Sequence, residues 1–261
     1  MLSKSKVKYI QTLFHKKFRD QENRFIIEGA KIINEFLLKS PETIYELYAT
    51  GEWAKKNSKL IDNIPQTALT IISEDDLKKI SALPSPNQAL AIVQKKATSF
   101  PGITPGENIV MLDEIQDPGN MGTIIRIADW FGITKIICST NCADIYNPKV
   151  IQSTMGSILR VHILYTDLLE WCKQHKNLPV YAATLHGKSI YETAHFENGI
   201  ILMGNESKGI KPELLALSKI QITIPRIGEA ESLNAAVATG IILSHFVQKT
   251  TAGATFGGVK I

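Results

Sequence analysis

Residues 200–210 read IILMGNESKGI, four apolar residues followed at once by a polar turn that lies between two glycines. A short apolar run that ends in this way is typical of a buried strand whose carboxyl end opens into a loop. Gly204 permits a close approach of a ligand to the backbone, and Gly209 permits a sharp turn. Taken alone, the pattern fits any corner between a strand and a helix, so its meaning depends on the surrounding sequence.

Outward from this corner, strand candidates alternate with helical patterns through the second half of the chain. These candidates are Asn108–Leu112, Lys135–Cys138, Val161–Leu164, Val180–Thr184, Ile200–Met203 and Ile220–Ile224. Such alternation predicts an α/β fold with a mostly parallel sheet and helices on both faces. The first half predicts a smaller α/β unit, with helices at Lys4–Phe18 and Ile26–Leu38 and strands at Ile44–Ala49, Leu69–Ile72 and Gln88–Gln94.

A break between the two halves falls at residues 99–106, SFPGITPG, where two Pro-Gly pairs disfavour both helix and sheet. We therefore predict a first domain at residues 1–98, a linker at 99–106 and a second domain at 107–250. Residues 251–261 contain glycine and threonine without clear periodicity. This composition predicts a flexible tail.

The positive charge is concentrated near the N-terminus. Residues 1–40 hold nine Lys or Arg against four Asp or Glu, whereas the remaining 221 residues sum to about −1. Clustered basic residues bind the phosphates of nucleic acids, so the pattern is compatible with an RNA-binding domain. It fits a solvated helix face equally well.

Other classes of protein are disfavoured by what the sequence lacks. No apolar stretch has the length of a membrane span and no signal pattern opens the chain, so we expect a cytoplasmic protein that does not enter a membrane. Cys138, Cys142 and Cys172 lack the spacing of a zinc site, and the six histidines form no cluster. We expect reduced cysteines and no metal.

A second polar corner follows the strand candidate at Asn108–Leu112. Residues 117–126 read DPGNMGTIIR and open a predicted helix, a position where groups that contact a ligand gather at the carboxyl edge of a parallel sheet. Because Arg126 has apolar neighbours in the sequence, we expect its guanidinium to be held in largely apolar surroundings. The alternative is a structural ion pair with Asp129.

The third motif, at residues 224–238, reads IPRIGEAESLNAAVA and leads into a helix of small and aliphatic residues. Ser232 is predicted to be the N-cap of that helix. A capping role fits Asn234 as well. A helix that is apolar nearly all round is expected to be buried.

In their order and spacing, the three motifs resemble those of the SpoU (TrmH) family of RNA ribose 2′-O-methyltransferases, which are enzymes of the SPOUT class. The family's Asn-x-Gly-x-x-x-Arg element is matched by Asn120, Gly122 and Arg126, and its Gly-x-Glu-x-x-Gly element by Gly204, Glu206 and Gly209. Its Ile-Pro strand and Ser-Leu-Asn-x-x-x-Ala element are matched by Ile224, Pro225, Ser232, Leu233, Asn234 and Ala238. The resemblance covers about residues 107–248. More weakly, residues 24–29, RFIIEG, resemble the RNA-binding domain that precedes many members.

The resemblance implies a parallel-sheet SPOUT domain with a C-terminal trefoil knot, which works as a homodimer and takes S-adenosylmethionine as methyl donor. The implied donor-binding residues are Thr184, Leu185, Gly187, Met203, Gly204, Asn205, Gly209, Ile224, Pro225, Leu233 and Ala238. The implied catalytic residues are Arg126, Asn120, Glu206, Ser232 and Asn234. Since arginine stays protonated, we expect Arg126 to bind a phosphate and stabilise negative charge on the ribose oxygen rather than remove a proton.

The implied substrate is RNA, with ribosomal RNA favoured over transfer RNA. Transfer RNA methylation and RNA binding without catalysis remain alternatives. A nucleotide-dependent oxidoreductase would need a Gly-x-Gly-x-x-Gly fingerprint after the first strand, and the sequence has none.

Overall fold

A computed structural model describes residues 2–96, 100–192 and 196–250, so the predicted tail at 251–261 and the start of the predicted linker lie outside the described residues. The chain divides into two compact units. Unit 1 comprises the described residues up to 96 together with Asp117–Arg126 and Ala143–Arg160, and unit 2 comprises the remainder. The domain boundaries inferred from the sequence stay a prediction.

Unit 1 contains a four-stranded sheet. Its elements are α1 (Lys4–Thr12), α2 (Lys16–Glu22), β1 (Arg24–Glu28), α3 (Ala30–Lys39), β2 (Ile44–Ala49), α4 (Gly51–Lys56), α5 (Ser58–Ile61), β3 (Leu69–Ile71), α6 (Glu74–Ile80) and β4 (Ala89–Gln94). The strand order is β1-β4-β2-β3, and only β2 and β3 run parallel. Alternate residues of β4 belong to different apolar clusters, one around Phe36 and Trp53 and the other around Ile10 and Leu77. The sheet is therefore covered on both faces.

The predicted helix Lys4–Phe18 is wrong in one respect, because it breaks at residues 13–15 into α1 and α2. The buried guanidinium of Arg19 donates hydrogen bonds to the carbonyl oxygens of Leu13 and Phe14 at 3.1 and 2.8 Å. At the break, the Arg19 guanidinium therefore replaces the backbone N–H donors that a continuous helix would have supplied to these carbonyl groups.

The predicted helix Ile26–Leu38 is also wrong at its start. Residues 26–28 belong to β1, which pairs antiparallel with β4, and α3 begins at Ala30 after Gly29, whose φ is 99°. Pairing with a strand more than 60 residues further along the chain overrides the local apolar pattern.

Unit 2 contains the predicted parallel sheet. Its strands are β5 (Ile109–Leu112), β6 (Lys135–Cys138), β7 (His162–Tyr165), β8 (Val180–Ser189), β9 (Ile200–Met203) and β10 (Ile220–Thr223), in the order β10-β8-β9-β5-β6-β7 with every pair parallel. The helices of the second half are α7 (Pro118–Trp130), α8 (Pro148–Thr154), α9 (Leu168–Gln174), α10 (Pro212–Leu215) and α11 (Ala235–Thr250). None of the described helices is long and apolar enough to span a membrane.

The strand order determines where a ligand site can form in unit 2. The chain runs outward from β5 through β6 to β7 and then crosses to β8 on the other side. Loops that leave β5 and β9 consequently lie side by side at the carboxyl edge, and ligands of open α/β sheets bind at such switch points.

Candidate active site

A cavity of about 660 Å³ opens at the carboxyl edge of the unit 2 sheet. It is bordered by the loops that follow β9 and β10, by part of β8 and by the start of α11. All of the implied donor-binding residues except Gly187 line it: Thr184, Leu185, Met203, Gly204, Asn205, Gly209, Ile224, Pro225, Leu233 and Ala238. The structure thus brings these residues together, although they come from four separate elements.

One wall of the cavity arises from an irregularity in β8. Ala182 pairs with Gln221 of β10, but the next pairing joins Lys188 to Ile222. Residues 183–187 therefore bulge out of the pairing between the two strands. Gly187 does not line the cavity. A Cβ at this position would lie 2.6 Å from backbone atoms of Gln221, so the glycine allows β8 and β10 to approach each other.

The loop after β9 folds back on itself. A Cβ at Gly204 would lie 2.5 Å from the carbonyl carbon of Gly209, so the backbone that approaches Gly204 is that of its own loop. Gly209 has a φ of 70°, and this left-handed conformation confirms the predicted sharp turn. Two backbone hydrogen bonds between Asn205 and Gly209 close the loop.

The side chain of Asn205 organises this loop and ties it to the end of β5. Its Oδ1 accepts hydrogen bonds from the backbone N–H groups of Ser207 and Lys208, and its Nδ2 donates to the carbonyl oxygen of Glu114 at 2.8 Å. Sequence reasoning had assigned Asn205 to donor binding. Its hydrogen bonds show that it holds the rim of the cavity in shape, whereas its role in donor binding stays a prediction.

A second link joins the loop after β9 to the residues that follow β5, and this link was not predicted from the sequence. The buried Asp113, directly after β5, accepts a hydrogen bond from the backbone N–H of Lys211, and the Lys211 ammonium lies 2.8 Å from Glu114. Hydrogen bonding to Lys211 lowers the pKa of the Glu114 carboxyl group. The signal available in the sequence was a pair of acidic residues immediately after an apolar strand.

The N-cap of α11 differs from the prediction. The helix begins at Ala235, and Asn234 Oδ1 accepts hydrogen bonds from the backbone N–H groups of Ala236 and Val237 at 3.0 and 3.2 Å. Asn234 is therefore the N-cap, and the prediction for Ser232 was wrong because the helix starts later than the residue pattern indicated. Ser232 is exposed and lines the cavity, as does Glu206.

The remaining motif residues lie on α7. The lack of a side chain at Gly122 lets α7 pack closely against α8, because a Cβ there would lie 2.4 Å from the carbonyl oxygen of Val150. Asn120 is partly buried, and its backbone N–H donates to Asp117. Neither Asn120 nor Arg126 lines the cavity, which is formed by residues of unit 2 alone.

Arg126 is exposed, so its expected placement in apolar surroundings was wrong. Successive helical residues point about 100° apart. Ile124, Ile125 and Ala128 consequently face the interior, while Arg126 faces solvent together with Trp130, whose exposure is 62%. The guanidinium of Arg126 is therefore accessible to solvent.

Sequence reasoning did not assign roles to several polar residues of the cavity wall. These are His186, Ser207, Lys208, Arg226 and Glu231. Most of them lie inside the quoted motifs, between the residues that match the family signature, so their position in those loops was the available signal.

The cavity suits S-adenosylmethionine. Its walls include Met203, Ile222, Leu215 and Ile242, which can enclose a flat apolar base. Thr184 adds a buried hydroxyl that has no hydrogen-bond partner among the described residues. A buried hydroxyl without a partner is costly, so a polar ligand atom at this wall would satisfy it.

Residues 107–244 match the family described as the SpoU rRNA methylase family, and residues 4–91 match the MRM3-like substrate binding domain. The chain belongs to the SpoU rRNA methylase family. Among its relatives, the 23S rRNA (guanosine(2553)-2′-O)-methyltransferase of Bacillus subtilis is 30% identical, over 92% of this chain and 95% of that protein. SpoU family membership confirms the resemblance inferred from the three motifs.

Solved structures agree with this SpoU assignment. A TrmH-family protein from Porphyromonas gingivalis is 34% identical, with a TM-score of 0.80 over 94% of this chain and 98% of that one. The rRNA methyltransferase of Sinorhizobium meliloti with bound S-adenosylmethionine is 28% identical, with a TM-score of 0.79 over 95% of each chain. The parallel α/β fold and the methyl donor predicted from the sequence are thereby confirmed.

Proposed function

We propose that this SpoU family protein transfers a methyl group from S-adenosylmethionine to a ribose 2′-hydroxyl of ribosomal RNA. The observation that carries the proposal is the cavity of about 660 Å³ in which the second and third motifs meet. The name of the Bacillus subtilis relative supports a ribosomal substrate, and that relative aligns with nearly the whole chain.

S-adenosylmethionine supplies an electrophilic methyl group on a positively charged sulfur. Because a ribose hydroxyl is almost wholly protonated near neutral pH, the protein must position it and stabilise the oxyanion that forms. We assign the second task to Arg126, because a planar guanidinium can bind the adjacent phosphate with two parallel hydrogen bonds. Asn120, Glu206 and Ser232 would orient the ribose and the guanidinium, and Asn234 would join them from its capping position.

RNA affinity is assigned mainly to unit 1, within the proposed substrate-binding domain at residues 1–98. Six of the basic residues among the first 40 are exposed lysines: Lys4, Lys8, Lys16, Lys17, Lys31 and Lys39. Arg19 is an exception, since it is buried against Asp144. The exposed lysines can each neutralise a phosphate, which gives an affinity that falls as salt rises.

We propose that the protein is a homodimer that associates through the second domain. Ile227 is fully exposed beside the cavity, and Leu233 and Val237 are about half exposed. Exposed aliphatic groups grouped in this way are typical of an interface. Sedimentation should show a dimer, and Ile227→Lys should shift it toward monomer. A monomeric protein with full activity would contradict an active site completed by a second copy.

Two further features are proposed from family membership. One is a trefoil knot formed by the segments that line the cavity, and the other is a cytoplasmic location, where ribosomal RNA is abundant. The knot is compatible with the close backbone approach at Gly187. It would be tested by an experimental structure that traces the chain continuously through residues 180–250.

The proposed activity is tested by incubating the full-length protein with tritiated S-adenosylmethionine and either 23S rRNA or total transfer RNA. Label in the ribosomal RNA, located by mapping of 2′-O-methyl groups, is the expected result. Label only in transfer RNA would favour the second substrate. RNA binding without label in either RNA would favour the non-catalytic alternative.

A further inference from the structure

An exposed aromatic residue lies on an irregularity of the unit 1 sheet. In the pairing of β2 with β4, Ile44 opposes Val93 and Glu46 opposes Ile92, so Tyr45 between them is an extra residue. An extra residue of this kind redirects its side chain away from the regular ladder. The Tyr45 side chain is 44% exposed and belongs to neither apolar cluster of the unit 1 sheet.

The guanidinium of Arg24 packs against one face of the Tyr45 ring. The guanidinium carbon of Arg24 lies 3.4 Å from the centre of the Tyr45 ring, and Arg24 Nη1 donates a hydrogen bond of 2.9 Å to the hydroxyl of Tyr9. The Nε of Arg24 has no acceptor among the described residues. The guanidinium is therefore positioned largely by the two tyrosines, and it covers one face of the Tyr45 ring.

The charged groups nearest to the stack are paired, and the exposed cations lie further out on α1. Lys6 lies 5.5 Å from the centre of the Tyr9 ring, whereas Lys4 and Lys8 are exposed on the other side of the same helix. The nearby acid Glu46 is neutralised by Lys6 at 2.8 Å and also accepts the Tyr48 hydroxyl. The other acid, Glu22, lies 3.8 Å from Arg24.

We propose that Tyr45, backed by Arg24, is a stacking platform for an unpaired base of the RNA substrate. This inference rests on the proposed function, because it takes RNA as the ligand, and it adds a binding site outside the cavity. An aromatic ring with an exposed face stacks on any nucleobase, and the exposed lysines of α1 can bind phosphates further along the same strand. Cations attract any anionic partner, but an exposed ring backed by a guanidinium also offers a stacking face, and this combination favours a nucleobase over an acidic or apolar protein surface.

The test compares full-length variants in their affinity for a short labelled oligouridylate over a series of salt concentrations. Tyr45→Ala should weaken binding roughly five- to a hundredfold, the range measured for loss of one base stack. The affinity of Tyr45→Ala should change with salt concentration with the same slope as that of the parent, because stacking releases no counterions. Lys8→Ala should instead flatten the salt dependence.

Three controls sharpen the comparison. Tyr45→Phe keeps the ring and should bind within about twofold of the parent. Leu38→Ala removes an exposed apolar side chain elsewhere in unit 1 and should have no effect. A fully paired RNA duplex offers no free base, so the parent and Tyr45→Ala should bind it equally.

Failure of this inference can be distinguished from failure of the proposed function. If Tyr45→Ala binds oligouridylate as tightly as the parent while both proteins methylate RNA, the platform is overturned and the activity stands. If the parent binds no RNA, both are overturned. A loss that Tyr45→Phe shares with Tyr45→Ala would also overturn stacking.

Discussion

The guanidinium of Arg19 donates a hydrogen bond of 2.6 Å to the carboxylate of Asp144, although 125 residues separate them in the sequence. The Arg19 side chain is only 2% exposed. Removing one partner of a buried pair leaves the other charge uncompensated.

We therefore expect Arg19→Ala and Asp144→Ala each to lower the free energy of unfolding by about 3 kcal/mol or more. Denaturant unfolding of the two single variants and the double variant measures the coupling. Additive effects would show that the two charges do not stabilise each other. Lys78→Ala, which removes an exposed pair with Asp75, is the control and should change stability by less than about 1 kcal/mol.

Gly122 is a packing residue as well as part of a family signature. Its replacement by Ala should cost about 1 to 3 kcal/mol, because a methyl group would collide with the backbone at Val150. Thermal unfolding checks this expectation. Gly102→Ala is the matched control, since a Cβ there meets nothing within 4 Å. Equal melting temperatures for both variants would contradict tight packing of α7 on α8.

Substitutions of Asn234 can distinguish its structural role as the cap of α11 from a catalytic role. Asn234→Ala removes the cap of α11 and should cost about 1 kcal/mol, whereas Asn234→Asp keeps an acceptor oxygen and should preserve stability. If the amide also orients the substrate, Asn234→Asp will lose methyl transfer while remaining folded. Ser232→Ala should leave the melting temperature unchanged, because Ser232 does not cap the helix. Full activity in Asn234→Asp would remove the amide from the mechanism.

Arg126 is expected to act on the substrate rather than on stability, because its side chain is exposed. Arg126→Ala should retain the parent melting temperature and donor affinity while single-turnover methyl transfer falls by roughly a hundredfold or more. Arg126→Lys should restore little, since an ammonium cannot reproduce a planar fork.

The alternative role of Arg126, an ion pair with Asp129, predicts a different result. In that case Arg126→Ala and Asp129→Ala would lower the melting temperature similarly, and activity would fall only in proportion to unfolding. Transfer by a stable Arg126→Ala protein within about threefold of the parent would exclude a catalytic role, because one positioned group contributes far more.

The carboxyl group of Glu107 makes the stability of unit 2 depend on pH. Burial opposes ionisation of this carboxyl group, but hydrogen bonds from Lys135 and the backbone N–H of Thr104 outweigh it and lower the pKa to about 2. A carboxyl group with a depressed pKa stabilises the fold above its unfolded value near 4.5, and this stabilisation is lost as the pH falls toward 2.

Glu107→Gln should accordingly lower the unfolding free energy at pH 7 by about 1 to 3 kcal/mol, because Lys135 is left buried with a weaker partner. The difference from the parent should narrow as the pH falls below about 4.5. Glu197→Gln, which removes an exposed pair with Lys219, should have little effect at any pH. A difference that stays constant down to pH 3 would contradict the depressed pKa.

Local patterns were informative where a short apolar run is bounded by polar turns. The strands Ile44–Ala49, Lys135–Cys138 and Ile200–Met203 were predicted with the bounds that the structure has. Each is decided by residues within a few positions of itself, because an apolar run bounded by turn residues indicates a buried strand in a parallel or an antiparallel sheet alike. Much of the cavity wall was predictable because the carboxyl end of β9 meets those of β8 and β10 at one edge of the parallel sheet.

By itself, the sequence determined the α/β class, the parallel sheet, the family and twelve of the 26 residues that line the cavity. Only the tertiary structure decided the break between α1 and α2, the exposure of Arg126 and the role of Asn234 as the cap of α11. Each of these depends on which groups meet in space: Arg19 reaches Asp144 across 125 positions, and α7 turns Arg126 away from its apolar neighbours. A local pattern describes which residues share a face, but only packing decides which face is covered and which backbone groups need a partner.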